Sequence, residues 1–390
     1  MAERAVAGRL VAVAAVLVTL AVAATLLVLA ATSKTGDKDD FVTRQGSTLR
    51  VDGSRFRFVG FNLYDAAASD VYSCSPSTRL DDAGLDEAMR TIKSSGGTVV
   101  RFWAYQTYTA GGTDFSAVDR VLAAARAHGL RVLPVLEDGP GDCSTGASGV
   151  SLDQVDGGTW YAGGYREPLG TAAISYRAYV ARVTHHYRDD PTILAWSLMN
   201  EAETAQRDDQ GRSQLVDFAR DVSAVAHAAD PHHLVTLGTQ SNGAPGASGA
   251  DFSAVYGLAG LDLTEVHDWG RYGGDDQAMP GAAAGGGLPE PSACSATDAQ
   301  LACSFVLAEQ LDKPIVVGEA GIAATDAAGR VRRARLFSAK LTAAFEAGAS
   351  GYLLWQLNRT NTDTYAVLLG TDDPVYAVLR RTADRWSSGP

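Results

Sequence analysis

Two glutamates are set apart by where they fall. Glu201 follows Asn200 just past the β-rich run Ile193 to Leu198, and Glu319 closes the run Pro314 to Gly318. Arg101 and Trp103 end a third such run, His267-Asp268-Trp269 a fourth, and Trp355 a fifth. A pair of carboxylates is what glycosidic cleavage needs: one delivers a proton to the leaving oxygen while the other stabilises or attacks the anomeric carbon. An isolated glutamate at a strand end is more often a surface or ion-paired residue. Two glutamates, an asparagine, a histidine, an arginine and a tryptophan carry chemistry only if the fold gathers them on one face.

The elements that must do so recur along the chain. Short β-rich runs occur at Phe58 to Leu63, Thr98 to Trp103, Arg131 to Leu136, Ile193 to Leu198, Leu234 to Leu237, Leu261 to His267, Pro314 to Gly318 and Gly351 to Trp355. Between them, apolar residues spaced by three and four, such as Leu85, Met89 and Ile92, or Val118, Val121, Leu122 and Ala125, predict helices. Eight alternations predict an α/β chain folded as a single (β/α)8 barrel, in which strand carboxyl ends converge on one face. A doubly wound sheet is the alternative, but it would show a glycine-rich turn after its first strand, where this chain has Phe61-Asn62-Leu63-Tyr64-Asp65. Asp52-Gly53, between Thr48 to Val51 and Arg55 to Val59, predicts an N-terminal β-hairpin. The insertion Glu137 to Gly170 reads as a loop over one barrel mouth, whose Trp160, Tyr161 and Tyr165 would either pack the loop or stack on a sugar. Trp196 reads as core. Glu265 reads as a partner behind the site and not as a third catalyst. The six histidines other than His267 read as structural or solvent-exposed.

Composition bounds the function. The 390 residues carry a net charge of -12 with only 5 lysines. Residues 1 to 40 hold four basic and four acidic side chains, so the whole excess lies in the rest. Such an acidic body is a poor partner for nucleic acid. Leu10 to Ala31 is an uncharged stretch of 22 residues behind Arg4 and Arg9, readable as a single membrane anchor or as a cleaved signal. Either reading exports the body, with residues 32 to 47 as a polar linker and 48 to 390 as the folded domain. Four cysteines suit export: Cys294 and Cys303 are close enough in sequence to close a local loop, leaving Cys74 for Cys143. Four free thiols are the other possibility. No spacing suggests a metal site, no cofactor is expected, and the protein is expected to act as a monomer.

The motifs resemble glycoside hydrolase family 5. They are Trp196-Ser197-Leu198-Met199-Asn200-Glu201, Glu265-Val266-His267, Val317-Gly318-Glu319-Ala320-Gly321 and Leu354-Trp355-Gln356-Leu357, in that family's order. Asp189 to Trp196, Val99-Val100-Arg101-Phe102-Trp103-Ala104 and the closing Trp-Gln-Leu are similar to its endo-β-1,4-mannanases. The resemblance implies Glu201 as general acid and base, Asn200 as the contact to the sugar 2-hydroxyl, Glu319 as nucleophile and Trp355 as the stacking floor. Arg101, Trp103, His267 and Trp269 would line the same site, with Arg101 keeping Glu319 anionic. The substrate implied is a β-1,4-linked polysaccharide, with mannan ahead of β-glucan or of sugar transfer. A catalytically silent carbohydrate-binding barrel is the alternative of another class. Two positions depart from the pattern. Trp269 stands where the family has Tyr, so either Tyr272 replaces that hydroxyl or the role is lost, and the third strand ends in Leu136-Glu137-Asp138-Gly139 instead of an amide or aromatic residue.

Overall fold

The computed structural model describes residues 41–386 other than 145–148, 171, 241–242, 270–287, 297–300 and 361–362. The hydrophobic stretch Leu10 to Ala31 and Tyr272 lie outside the described residues. Among the described residues no helix is long and apolar enough to cross a membrane.

Regular structure begins earlier than the expected start at residue 48. Strand β1 (Thr43–Gln45) pairs antiparallel with β2 (Thr48–Val51), which pairs with β3 (Ser54–Arg55). The β2–β3 turn holds Asp52 and Gly53 at φ of 51° and 72°, the two positive values that a two-residue turn of this hand requires. The expected second arm, Arg55 to Val59, is split. The Phe56 amide still bonds Leu49, whereas the Phe58 amide bonds Ser350, so the chain leaves the small sheet there and enters a larger one.

That sheet has eight parallel strands: β4 (Phe58–Asn62), β5 (Val99–Trp103), β6 (Arg131–Val135), β7 (Ala195–Ser197), β8 (Leu234–Thr236), β9 (Thr264–Trp269), β10 (Ile315–Gly321) and β11 (Gly351–Leu354). Its order, β8-β7-β6-β5-β4-β11-β10-β9, leaves β8 and β9 at the ends. Backbone bonds from Asp262 to Val235 and from Thr239 to Glu265 join those ends and close the barrel. After each strand comes a helix: α1 (Asp82–Ser94), α2 (Ser116–Ala127), α3 (Tyr176–Tyr187), α4 (Leu215–Ala229), α5 (Ala250–Tyr256), α6 (Leu301–Gln310), α7 (Ala327–Glu346) and α8 (Pro374–Trp386). Helix α1 shows why the pattern is legible. Asp81 caps it by accepting the Gly84 amide, and Leu85, Ala88, Met89 and Ile92 line one buried face.

Two apolar regions result. One lies between strands and helices. The other fills the barrel's amino-terminal end, where Phe58, Val99, Leu133, Leu234, Leu263, Val316 and Leu353 meet Val42 and Leu49 of the N-terminal sheet. The small sheet therefore plugs the barrel floor, leaving polar side chains to the opposite, carboxyl-terminal face.

The aromatic residues of the long insertion are packing residues. Trp160, Tyr161 and Tyr165 are buried and pack on Phe218 of α4 at ring-centroid distances of 5.5, 5.0 and 4.9 Å. They bind the loop to the outer helices, so packing is their role. Disulfides join Cys74 to Cys143 and Cys294 to Cys303. Trp196 is core, donating its indole N–H to Asp230.

Candidate active site

The site is assembled by period-two alternation. Above the apolar floor, Gly60 and Asn62 of β4, Arg101 of β5, Ser197 of β7, and Glu265 and His267 of β9 follow on inward positions. Arg101 is the hub and is wholly buried. Its Nε donates to Glu265 at 2.9 Å, one Nη to Asn62 at 3.0 Å and Glu319 at 2.5 Å, and the other Nη to Asn200 at 2.9 Å. Only a planar guanidinium fork can meet these partners together. Glu265 also accepts from Ser197 at 2.5 Å, and its carboxyl is lowered: burial opposes ionisation, but Arg101, His267 and Ser197 outweigh it. It is an internal counter-charge, as its position in the sequence suggests.

Glu319 reaches the site through a bulge. The β9–β10 register pairs Val317 with Val266 and then Glu319 with His267, so Gly318 is an extra residue that turns Glu319 inward. Gly318 is also required by space, since a Cβ there would sit 2.4 Å from a Glu265 oxygen. Glu319 is 3% exposed. Burial raises its carboxyl above the usual range, and the charge of Glu201 adds to this, while His267 and Arg101 pull downward. Arg101 thus acts in the expected sense but does not set the net direction.

Glu201 is placed by local strain. It sits at φ 48°, a left-handed conformation uncommon for a side-chain-bearing residue and concentrated at functional sites. Its side chain keeps 20% exposure and lies 2.8 Å from Nδ1 of His267. Oxygens of Glu201 and Glu319 and a His267 ring nitrogen all lie within 4.8 Å of one another. Burial disfavours a charged His267, but Glu319, Glu201 and Glu265 outweigh it and raise the imidazole to about 9. Arg101 and His267 thus already supply positive charge to this carboxylate set.

This has a measurable consequence for stability. His267 is raised above its ordinary value of 6.5, so its contribution is complete below that pH and lost as pH rises through about 9. Melting curves should show wild type losing on the order of 3 kcal/mol more than His267→Gln between pH 6.5 and 9.5. Parallel curves for the two proteins would refute the assignment.

Trp269 reaches Glu319 directly. Its indole N–H donates to Glu319 at 3.3 Å, on the carboxylate oxygen not bound by Arg101. The ring fits because position 321 is glycine: a Cβ there would lie 2.1 Å from the indole. A tryptophan N–H only donates, so it stabilises the anion alone. Trp269→Phe should lower kcat about tenfold and move the acidic limb of kcat/KM to higher pH, because a lost donor disfavours ionised Glu319. An unmoved limb would remove Trp269 from this role.

Trp355, partly exposed, stacks on Tyr64 at 5.2 Å and lies 6.0 Å from both Trp103 and Trp269. Trp103 is itself buried against Tyr64 and Tyr105, so it supports the aromatic wall from behind. Sequence reasoning misses Asn62, Tyr64 and Tyr105. The signal for Asn62 is its place as the third inward position of its strand, after Phe58 and Gly60. Asp138 stands out in the sequence only as a departure from the family pattern, yet it accepts the Asn200 amide N–H at 3.0 Å. Burial raises its carboxyl to about 6, aided by the charges of Asp142 and Glu201 and opposed by bonds from Asn200 and Cys143. The other histidines serve structure or surface; His233, for example, is buried against Asp230 at 2.6 Å.

Comparison with known proteins agrees with this layout. Residues 176–378 match the family model described as GH family 5 beta-mannosidase-like. Mannan endo-1,4-beta-mannosidase 2 of Oryza sativa subsp. japonica is 30% identical over 277 residues, covering 58% of this chain and 57% of that protein. Mannan endo-1,4-beta-mannosidase 1 of the same plant is 28% identical over 286 residues, covering 63% of each. These alignments therefore span less than two thirds of the plant proteins. The solved endo-1,4-beta-mannanase from Rhizomucor miehei superposes with a TM-score of 0.65 at 18% identity, covering 90% of this chain and all of that one, a likeness of fold. A family match across more than half of the sequence, on the strands that carry Glu201, His267 and Glu319, makes this chain a member of the family 5 beta-mannosidase-like glycoside hydrolases.

Proposed function

We propose that the unit from residue 41 onward is a retaining endo-β-glycosidase acting on β-1,4-mannan. The observation that carries this reading is the approach of the Glu201 and Glu319 oxygens to within 4.8 Å. Double displacement uses carboxyl groups about 5 to 5.5 Å apart, whereas inversion needs about 6.5 to 9.5 Å to admit a water. The plant relatives' names favour mannan over glucan.

Position suggests the roles. Arg101 and Trp269 both donate to Glu319, contacts that favour its anion and suit an attacking carboxylate, whereas Glu201 keeps 20% exposure and lies on the side open to the leaving group and to water. In the first step a Glu319 oxygen bonds the anomeric carbon, the glycosidic C–O bond breaks, and the Glu201 proton passes to the leaving oxygen. In the second, Glu201 takes a proton from water, the resulting oxygen attacks the same carbon, and Glu319 departs as carboxylate. Asn200 bonds the sugar 2-hydroxyl and Trp355 carries the ring face. Export past the membrane, with the N-terminal stretch as signal or anchor, fits the two disulfides.

The test is reducing-end release from mannan, carboxymethyl cellulose and xyloglucan side by side, with the anomeric configuration of the first product read by NMR. Retention and a clear preference for mannan are expected. Inversion, or equal rates on the glucans, would overturn the mechanism or the substrate respectively, and binding without any hydrolysis would favour a silent barrel.

A further inference from the structure

We propose that Asp138 is a positioning residue, whose carboxylate holds the Asn200 amide in the one orientation that leaves an N–H free for the substrate's 2-hydroxyl. This rests on the reading of Asn200 given above. Asn200 lies between opposites: its Oδ1 accepts from Arg101 at 2.9 Å and its Nδ2 donates to Asp138 at 3.0 Å. Arginine has no acceptor and ionised aspartate no donor, so a flipped amide would meet two repulsions. Asp138 takes one Nδ2 hydrogen and leaves the second.

Asp138 is itself fixed. It forms a parallel bridge with Asn200, flanked by backbone bonds from Gly139 to Asn200 at 2.8 Å and from Asn200 to Glu137 at 2.6 Å. Its second oxygen accepts the Cys143 amide at 3.0 Å, and Cys143 is tied by its disulfide to Cys74 on the loop after β4. Glycine at 139 permits the approach, because a Cβ there would lie 2.6 Å from the Glu201 carbonyl oxygen. A chain of contacts therefore runs from the disulfide through Asp138, Asn200 and Arg101 to Glu319.

An asparagine at 138 could offer its oxygen to Cys143 or to Asn200, but not to both, so the orientation would no longer be enforced. The substrates are an aryl β-mannobioside and its analogue lacking the 2-hydroxyl on the sugar next to the aglycone. Asp138→Asn should lower kcat/KM about 30-fold on the parent, lower it less than about threefold on the analogue, and cost nothing further in an Asn200→Ala background. Should it fail to fold, Asp138→Ser, which keeps an acceptor, is held to the same criteria. Equal losses on both substrates, a loss that persists without Asn200, or failure of both variants to fold would make Asp138 a loop anchor and overturn the proposal. No hydrolysis by the wild-type protein would instead overturn the glycosidase reading.

Discussion

Glu319→Gln and Glu201→Gln are each expected to reduce mannan hydrolysis by about four orders of magnitude, near 5.5 kcal/mol of barrier. Both substitutions keep side-chain shape and remove one carboxylate. The two losses differ in kind. Glutamine at 319 has no anionic oxygen to bond the anomeric carbon, so the deficit persists whatever the leaving group. Glutamine at 201 cannot deliver a proton, which a strongly activated aryl leaving group scarcely needs, so much of its deficit should vanish in the first step on such a substrate and reappear as slow release of the covalent intermediate. The melting temperature should move by no more than about 4 °C. Full activity in either variant would remove that residue from the chemistry, and an identical leaving-group dependence in both would remove the division of roles.

Arg101→Met is expected to have the largest effect on stability. Arg101 is wholly buried and is bonded to two carboxylates, Glu265 and Glu319, themselves almost without exposure. Removing it leaves both charges in the barrel core without their main partner, a loss of about 3–5 kcal/mol. Activity should fall about a thousandfold as well, because the same side chain bonds Asn200 and the proposed nucleophile. Arg101→Lys should fare little better, since one ammonium cannot spread over Asn62, Asn200, Glu265 and Glu319. Adding Glu265→Gln to Arg101→Met should restore part of the stability and none of the activity, measured by urea denaturation and by hydrolysis. Additive destabilisation would mean that the ion pair is not the source of the loss.

Much of this site is legible in the amino-acid sequence. Glu201, Glu319, His267 and Trp355 stand out because each closes a β-rich run, and parallel strands in a barrel deliver their ends to one face. The helices are legible because apolar spacing and caps are local, as Asp81 and Leu85 to Ile92 show. The aromatic residues of the long insertion are not. Trp160, Tyr161 and Tyr165 would look the same beside a sugar or beside Phe218, and only the path of the loop distinguishes the two. The beginning of the folded body is equally hidden. Thr43–Gln45 is polar and short, and it becomes a strand only because β2 supplies its hydrogen-bond partners.

Local pattern and chain order are enough to specify the strand count, the barrel, the two carboxylates and some of their neighbours. How those groups act on one another is a property of the tertiary structure. The bulge at Gly318 aims Glu319, the left-handed backbone aims Glu201, and the absence of a side chain at Gly321 lets Trp269 reach Glu319. Asp138 meets Asn200 across 62 positions of chain. Each of these depends on ångström-scale register between strands distant in sequence, and neither residue type nor spacing encodes that register until the barrel closes.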